Sequence, residues 1–447
     1  MLIHSIICSL LIGAIAQMGF VPTACRLSKS SSTSVSTSFQ LSEHEDAFLE
    51  DLSRRSFLFF WEHQAPETGL IRDRAKTDGT LRHNVASIAS TGFGLTAYCI
   101  AAERQWVDAE QARERVRATL RFLANRAFHQ NGWFYHWMDA TTGARQWDSE
   151  VSSIDTALLL AGVLTARQYF QADPEIVRLA TLIYERVDFP WMLNGDPAIF
   201  SHGWKPESGF LSARWSVYSE HMILYLLAIG SPTHPIPADA WYAWVRNPIT
   251  YRGYTYIYGA APLFIHQYSH AWIDFRHRRE ARGQQIDWFA NSVTATRAHR
   301  EFCIRLAREF PNSYSENVWG ITASDCLQQG QHRYCAWGGP PPTGLPRDGR
   351  IDGTVVPCAA GGSLMFAPDI CLPALLTMHE RFGDRIYGRY GFTDAFNPTT
   401  GWVNPDVIGI DLGITLLSAE NLRTENVWRW FMRNPEVTRA MELIELR

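Results

Sequence analysis

Residues 147–164 read Trp147-Asp148-Ser149-Glu150-Val151-Ser152-Ser153-Ile154-Asp155-Thr156-Ala157-Leu158-Leu159-Leu160-Ala161-Gly162-Val163-Leu164. A polar loop passes here directly into a segment that is apolar on every side, and a helix with no polar face has to be buried all round. Three carboxylates, Asp148, Glu150 and Asp155, stand where the loop becomes the buried helix. Carboxylates at such a place are costly unless they are paired or used. Ser152 with Asp155 three residues on forms a variant of the capping box, so Asp155 has a structural reading as well as a chemical one. Asp148 and Glu150 precede the cap and escape that explanation.

Working outward, helical periodicity recurs at 43–63, 87–104, 108–127, 153–170, 174–189, 215–229, 238–246, 262–276, 285–309, 364–382, 410–421, 424–432 and 435–446. The connections are long, rich in Gly, Pro, Trp and Tyr, and contain few alternating, strand-like runs. About a dozen helices on aromatic loops predict an all-α fold, the (α/α)6 barrel, with two concentric rings of six. Segments 157–164 and 222–229 have the all-round apolarity of inner helices, and 108–127 the amphipathicity of an outer one. A solenoid of helical pairs is the structural rival, but it fits the long loops less well.

With 46% hydrophobic and 19% charged residues in 447, the chain can bury a large core. A net charge of -4 without a basic stripe argues against nucleic acid as a partner. The 17 Trp, 16 Tyr and 24 Phe point instead to carbohydrate, because aromatic faces stack on the apolar faces of sugars. Residues 1–24 read as an export leader: Leu2–Ala16 is apolar but short for a membrane span, although its start lacks Lys and Arg. Pro22-Thr23-Ala24-Cys25 resembles a lipoprotein cleavage box, so Cys25 is a candidate lipid anchor. Residues 25–43 are then a Ser/Thr-rich tether, and 44–447 one catalytic domain. The expectation is a periplasmic, membrane-anchored or secreted monomer. Cys99, Cys303 and Cys371 read as buried thiols, while Cys326 and Cys335 flank a polar loop and are candidates for a disulfide. No metal-ligand motif and no cofactor fingerprint is present, so neither is expected.

Two further stretches carry candidate chemistry. In Arg214-Trp215-Ser216-Val217-Tyr218-Ser219-Glu220-His221-Met222, the carboxyl of Glu220 is flanked by Trp215, Tyr218 and Met222. Desolvation there would keep it protonated near neutrality, as a general acid requires. The competing reading is a first-turn acid favourable to the helix dipole. In Asn404-Pro405-Asp406-Val407-Ile408-Gly409-Ile410-Asp411-Leu412-Gly413, Asp411 lies in an apolar run and either acts chemically or pairs with Arg423, whereas Asp406 reads as a helix cap. Aromatic loops supply the walls of a sugar cleft, and the candidate substrate-binding residues are Arg72, Asp73, Trp133, His136, Tyr218, Tyr268, His270, Trp272, Glu316, Trp319, Asp325 and Tyr334. Paired carboxylates between aromatic walls are the chemistry of glycoside hydrolysis.

The segments Phe57–Arg74, Ser87–Gly94, Glu150–Thr156, Tyr218–Pro235, Pro262–Arg276, Glu316–Asp325 and Asp352–Asn397 together resemble the bacterial glucoamylase-like family, glycoside hydrolase family 144. These are endo-β-1,2-glucanases and related β-1,2-glucan hydrolases, and the resemblance spans residues 44–446. It implies an (α/α)6 barrel acting on β-1,2-glucan or sophoro-oligosaccharides by inversion, without a metal, with Glu150, Asp155, Glu220 and Asp411 along the cleft. One departure is His221, where a small residue is expected after the acid. Glu220 is then the general acid, and Asp411, Asp148, Glu150 or Asp155 activates water, the pair standing roughly 6.5–9.5 Å apart. The alternatives are a transglycosylase on the same glucan, a polysaccharide lyase on an α/α toroid, and a non-catalytic glycan-binding lipoprotein.

Overall fold

The computed structural model describes residues 39–259 and 262–447. The proposed leader, Cys25 and nearly all of the tether lie outside the described residues. Among the described residues no helix is long and apolar enough to cross a membrane.

Fourteen α-helices follow one another through the described chain: α1 (Glu43–Glu62), α2 (Ile88–Glu103), α3 (Ala109–Asn125), α4 (Ser153–Tyr169), α5 (Pro174–Glu185), α6 (Phe189–Leu193), α7 (Met222–Ile229), α8 (Tyr268–Trp272), α9 (Trp288–Leu306), α10 (Pro357–Gly361), α11 (Pro368–Ile386), α12 (Gly409–Thr424), α13 (Asn426–Phe431) and α14 (Pro435–Leu443). The apolar helices form the inner ring: α2 is buried from Ile88 to Ala102, α7 along its whole length, and α4 and α12 nearly so. Helices α3 and α5 bury one stripe each and close the outer ring. The α/α toroid expected from the periodicity is therefore the fold. Helices α2 and α4 touch so closely that a Cβ on Gly92 would stand 2.2 Å from the Leu158 carbonyl oxygen, and one on Gly162 only 2.0 Å from that of Gly92. No side chain fits at either position.

Short antiparallel strands ring the mouth of the barrel. Arg74–Lys76 pairs with Asp406–Ile408, Val85–Ser87 with Trp137–Asp139, and Val151–Ser152 with Gly203–Lys205. Three of these strands lead directly into α2, α4 and α12. The N-termini of inner helices thus meet at the mouth, where their dipoles favour carboxylates.

The structure shortens several expected helices. Trp215–His221 stays non-helical because Tyr218 and Val245 donate their amides to Val245 and Ser216 across a bridge, so α7 begins only at Met222. Glu220 is therefore not a first-turn acid. Segment 238–246 is a single 3₁₀ turn at Ala238–Tyr242, and 262–276 splits into a 3₁₀ turn and the short α8. The aromatic run Tyr251–Tyr258 belongs to a hairpin, Asn247–Tyr251 with Tyr254–Tyr258, whose turn residues Arg252 and Gly253 both have positive φ. Asp406 is not a cap either: it lies in a strand and faces Arg82 at 3.2 Å, while Ile408 takes the cap position.

Candidate active site

A cavity of about 260 Å³ opens at the barrel mouth. Its walls include Asp73, Arg74, His136, Trp137, Trp147, Glu150, Asp155, His202, Trp215, Glu220, Tyr268 and Tyr334. Glu150, Asp155 and Glu220 are placed by the starts of α4 and α7 or the residues just before them, and Asp73 by the strand Arg74–Lys76 that pairs with the one leading into α12.

At the entrance to α4, the Ser152 hydroxyl accepts the Asp155 amide at 3.2 Å and donates to the Asp155 carboxylate at 2.5 Å. The capping role of Asp155 is real, and its second oxygen still faces His136 Nε2 at 3.5 Å. The other ring nitrogen of His136, Nδ1, lies 3.0 Å from Glu150 Oε1, and the ring stacks on Trp137 at 4.1 Å. Burial works against a charge on His136, but the charge of Asp155 and then the hydrogen bond and charge of Glu150 outweigh it and lift its pKa to about 9. Burial would likewise raise Glu150, yet its hydrogen bond to His136 and the imidazolium charge hold it down to about 2. For Asp155 burial wins and the pKa rises, with His136 and Ser152 only partly opposing it. Atoms of His136, Glu150 and Asp155 lie within 4.8 Å of one another, as metal ligands would. Both ring nitrogens already face carboxylate oxygens, however, and an imidazolium satisfies that arrangement by itself.

Glu220 stands across the cleft, 8% exposed, in the turn before α7. Burial raises its pKa to about 7, reinforced by the negative charge of Asp155 and opposed by hydrogen bonds from Ser219 and from the backbone. Its own carbonyl accepts from Ser269 at 2.6 Å, which anchors the turn to α8. Tyr218 is not a wall residue: it is fully buried behind the acid, bonded to His266 at 3.1 Å and stacked on Trp288. His221 also turns away from the cavity and packs against Trp215, Tyr225 and Trp244.

Asp411 does not line the cavity and lies behind its wall, which includes Ile408, Ile410, Tyr268 and Tyr334. It is 6% exposed and does not pair with Arg423, which instead binds Asp46 and Glu50 at 2.7 Å each. Beside it is a small internal cavity of about 20 Å³, bordered by Ser56, Cys358, Asp394 and Thr415, enough for about one water. Burial raises Asp411 to about 6, helped by the charges of Asp325 and Asp73, while hydrogen bonds from Asp394 and Cys358 pull it down. Tyr268, on the cavity wall, is within electrostatic reach of both Asp411 and Glu220.

Arg74 organises the remaining wall. It donates to Asp73 and Asp325 at 2.8 Å each and lies 3.8 Å from Asp406. Asp325 and Tyr334 face each other across the hairpin Ser324–Gln328 and Gln331–Cys335, which the expected disulfide Cys326–Cys335 closes.

Several expected site residues lie elsewhere. Trp133 is core, edge-on to Phe189 and Phe200 with its indole N–H on the Asp188 carbonyl. Trp272 is core too, donating to Thr96 at 2.9 Å, and His270 is bonded to Ser292 at 3.0 Å. Trp319 is fully buried near His299. Glu316 is exposed on Arg300, Arg72 is engaged by Asn84 and the His63 carbonyl, and Asp148 is exposed outside the cavity. A large aromatic residue in a loop carries no sign of which way it points, and burial of apolar area is the default outcome. Conversely, Arg74, His202 and Asp394 went unpredicted. His202 stacks on Trp215 at 4.0 Å, and nothing in its local sequence marks it.

Comparison with other proteins agrees with this fold. The sequence model of the Glycoamylase family, described as "Putative glucoamylase", matches residues 212–435. An exo beta-1,2-glucooligosaccharide sophorohydrolase (non-reducing end) of Parabacteroides distasonis is 26% identical over 463 residues, covering 95% of this chain. The chain spans 61% of that relative's length. Among solved structures, an endo-beta-1,2-glucanase from Chitinophaga pinensis in complex with sophorotriose and glucose superposes with a TM-score of 0.80 at 26% identity, over 91% of this chain and 99% of that one. A beta-1,2-glucanase from Parabacteroides distasonis gives 0.81 at 26% identity, over 90% and 60%.

Proposed function

Because this chain belongs to the Glycoamylase family, we propose that it is an inverting glycoside hydrolase acting on β-1,2-glucan or sophoro-oligosaccharides. The observation that carries the reading is a cleft with aromatic walls that holds the buried carboxyl of Glu220, with the carboxyl of Asp411 behind the wall. Burial holds a proton on Glu220 up to about pH 7, ready to give, and Asp411, whose burial is opposed by hydrogen bonds from Asp394 and Cys358, is the carboxylate assigned to accept one. The similarity to β-1,2-glucan hydrolases over nearly the whole chain supports the linkage.

Glu220 donates its proton to the glycosidic oxygen as the bond from the anomeric carbon breaks. Water attacks that carbon from the opposite face, and its proton passes to Asp411, by way of a water at the cavity wall because Asp411 stands one layer back. Glu150 is too weak a base for this task, pinned as it is by His136. Asp155 is spent on its cap and on the same imidazolium. The His136–Glu150–Asp155 cluster therefore serves to hold sugar hydroxyls, with Trp137 beneath. The disulfide is consistent with an exported protein, since such bonds persist in oxidising compartments.

The test is to incubate the purified protein with β-1,2-, β-1,3-, β-1,4- and β-1,6-glucans and to follow products by chromatography and the first-formed anomer by NMR. Cleavage of the β-1,2-glucan alone, with release of the α-anomer, is expected. Cleavage of another linkage only would refute the substrate, larger or cyclic products would reveal transglycosylation, and binding without product would refute catalysis.

A further inference from the structure

We propose that Asp394 is a positioning residue that stands as the neutral acid, donates its O–H to Asp411, and so holds Asp411 as the ionised carboxylate that accepts the water's proton. This rests on the reading of Asp411 as base.

Asp394 is 3% exposed in the loop between the strands Gly391–Phe392 and Phe396–Asn397. Its Oδ2 is occupied twice, by the Asp325 amide at 2.8 Å and by Asn404 Nδ2 at 2.7 Å. Its Oδ1 is completely buried and receives no N–H or O–H, and the same holds for Oδ2 of Asp411. Both residues border the same small cavity, each with a buried oxygen that finds no donor, and each side chain lies within hydrogen-bonding reach of the other. Two carboxyl groups that meet directly through acceptor oxygens are joined by a proton on one of them.

The surroundings lead to the same conclusion. The strand 74–76 and the residue before it contribute Arg74 and Asp73, the hairpin Asp325 and Tyr334, the strand 406–408 Asp406, α10 Cys358 and α8 Tyr268. Among the described residues the basic groups that face Asp73, Asp325, Asp394, Asp406 and Asp411 are Arg74, at Asp406 also Arg82 and His332, and at Asp73 also His83 and His136, which Glu150 and Asp155 already share. Carboxyls outnumber guanidiniums, and leaving every one ionised would bury uncompensated charge. The proton is assigned to Asp394 because Asp411 sits in the first turn of α12, where the helix dipole favours an anion, with Cys358 beside it on the same small cavity. Burial, and then the charges of Asp411 and Asp325, push Asp394 well above the usual carboxylate range.

The experiment compares pH profiles of kcat/KM on β-1,2-glucan for the wild type, Asp394→Asn, Asp394→Ala and Asp411→Asn. Asparagine reproduces the neutral acid: its oxygen can keep the Asp325 and Asn404 bonds while its N–H serves Asp411. Asp394→Asn should therefore stay within about threefold of wild type with the acidic limb unmoved, whereas Asp394→Ala should lose about tenfold in kcat with little change in KM, its acidic limb moving up by about one pH unit. A folded Asp394→Asn as inactive as Asp394→Ala would overturn the proposal, because Asp394 would then need to ionise. An Asp394→Ala profile equal to wild type would overturn it too. Full activity in Asp411→Asn would refute the base and not the proton. That proton is read separately, as the infrared carbonyl band of a buried carboxylic acid that remains once Glu220 has titrated, present in the wild type and lost in Asp394→Asn. Its absence from the wild type would overturn the proposal whether or not the variants fold.

Discussion

His136 Nδ1 lies 3.0 Å from Glu150 Oε1, and this contact, together with the charge of Asp155 on the other ring nitrogen, keeps His136 protonated and Glu150 ionised. His136 rises from 6.5 to about 9, so its ion pairs add stability that is complete below pH 6.5 and is lost as the pH climbs through about 9. Glu150 falls from 4.5 to about 2, so its share is present above pH 4.5 and disappears as the pH drops toward 2. The cluster therefore stabilises most between pH 4.5 and 6.5. Replacing His136 by Phe should depress Tm most in that window, and the gap from wild type should narrow by pH 10. Thermal unfolding across pH checks this, and a gap constant with pH would contradict an imidazolium.

Glu220 has to be protonated to act, so kcat/KM on β-1,2-glucan should fall as the pH rises through about 7. Glu220→Gln should cost about 10²–10⁴-fold in kcat while leaving Tm close to wild type. An aryl glycoside with a good leaving group needs little protonation, so the same variant should lose far less on it. Equal losses on both substrates would remove Glu220 from the acid role.

Arg74 is the cation between Asp73, Asp325 and Asp406. Arg74→Met leaves those buried carboxylates uncompensated and should destabilise the fold by about 3–5 kcal/mol, read by denaturant unfolding. A variant as stable as wild type would show that the network is not held by this charge.

Trp133 and Trp137 lie four residues apart and should respond in opposite ways. Trp133 is fully buried in the core, so Trp133→Ala should cost about 3–5 kcal/mol of stability. Trp137 is half-buried on the cavity wall beneath His136, so Trp137→Ala should raise KM and barely move Tm. Unfolding and steady-state kinetics on the two variants separate the roles.

Much of the fold was legible because its signals are local. The apolar runs Ala157–Leu164 and Met222–Ile229 announced inner helices, the stripe of α3 announced an outer one, and Ser152 marked where α4 begins. The exceptions had tertiary causes: the bridge between Val217 and Val245 holds Trp215–His221 out of the helix that its composition suggests. Site residues were less legible. Glu220, Glu150 and Asp155 stood out because carboxylates beside apolar helices are conspicuous in any sequence. Trp272, His270 and Trp319 looked equally suitable for binding sugar and are core, since an aromatic side chain gives no local sign of the side on which it will be buried.

The sequence by itself determined the helix pattern, the mouth-side caps and the acidic residues at helix starts, all set by neighbours within a turn or two of chain. Only the tertiary structure decided which of these acids meet and what each can do. Arg74 and Asp325 are 251 residues apart yet 2.8 Å from each other, and Asp394 is held beside the strand that leads into α12 by its amide on the Asp406 carbonyl and by the Asp325 amide on its carboxyl group. Closing the ring desolvates some carboxylates and pairs others, and that difference separates a proton donor at about 7 from an anion at about 2 in one cleft.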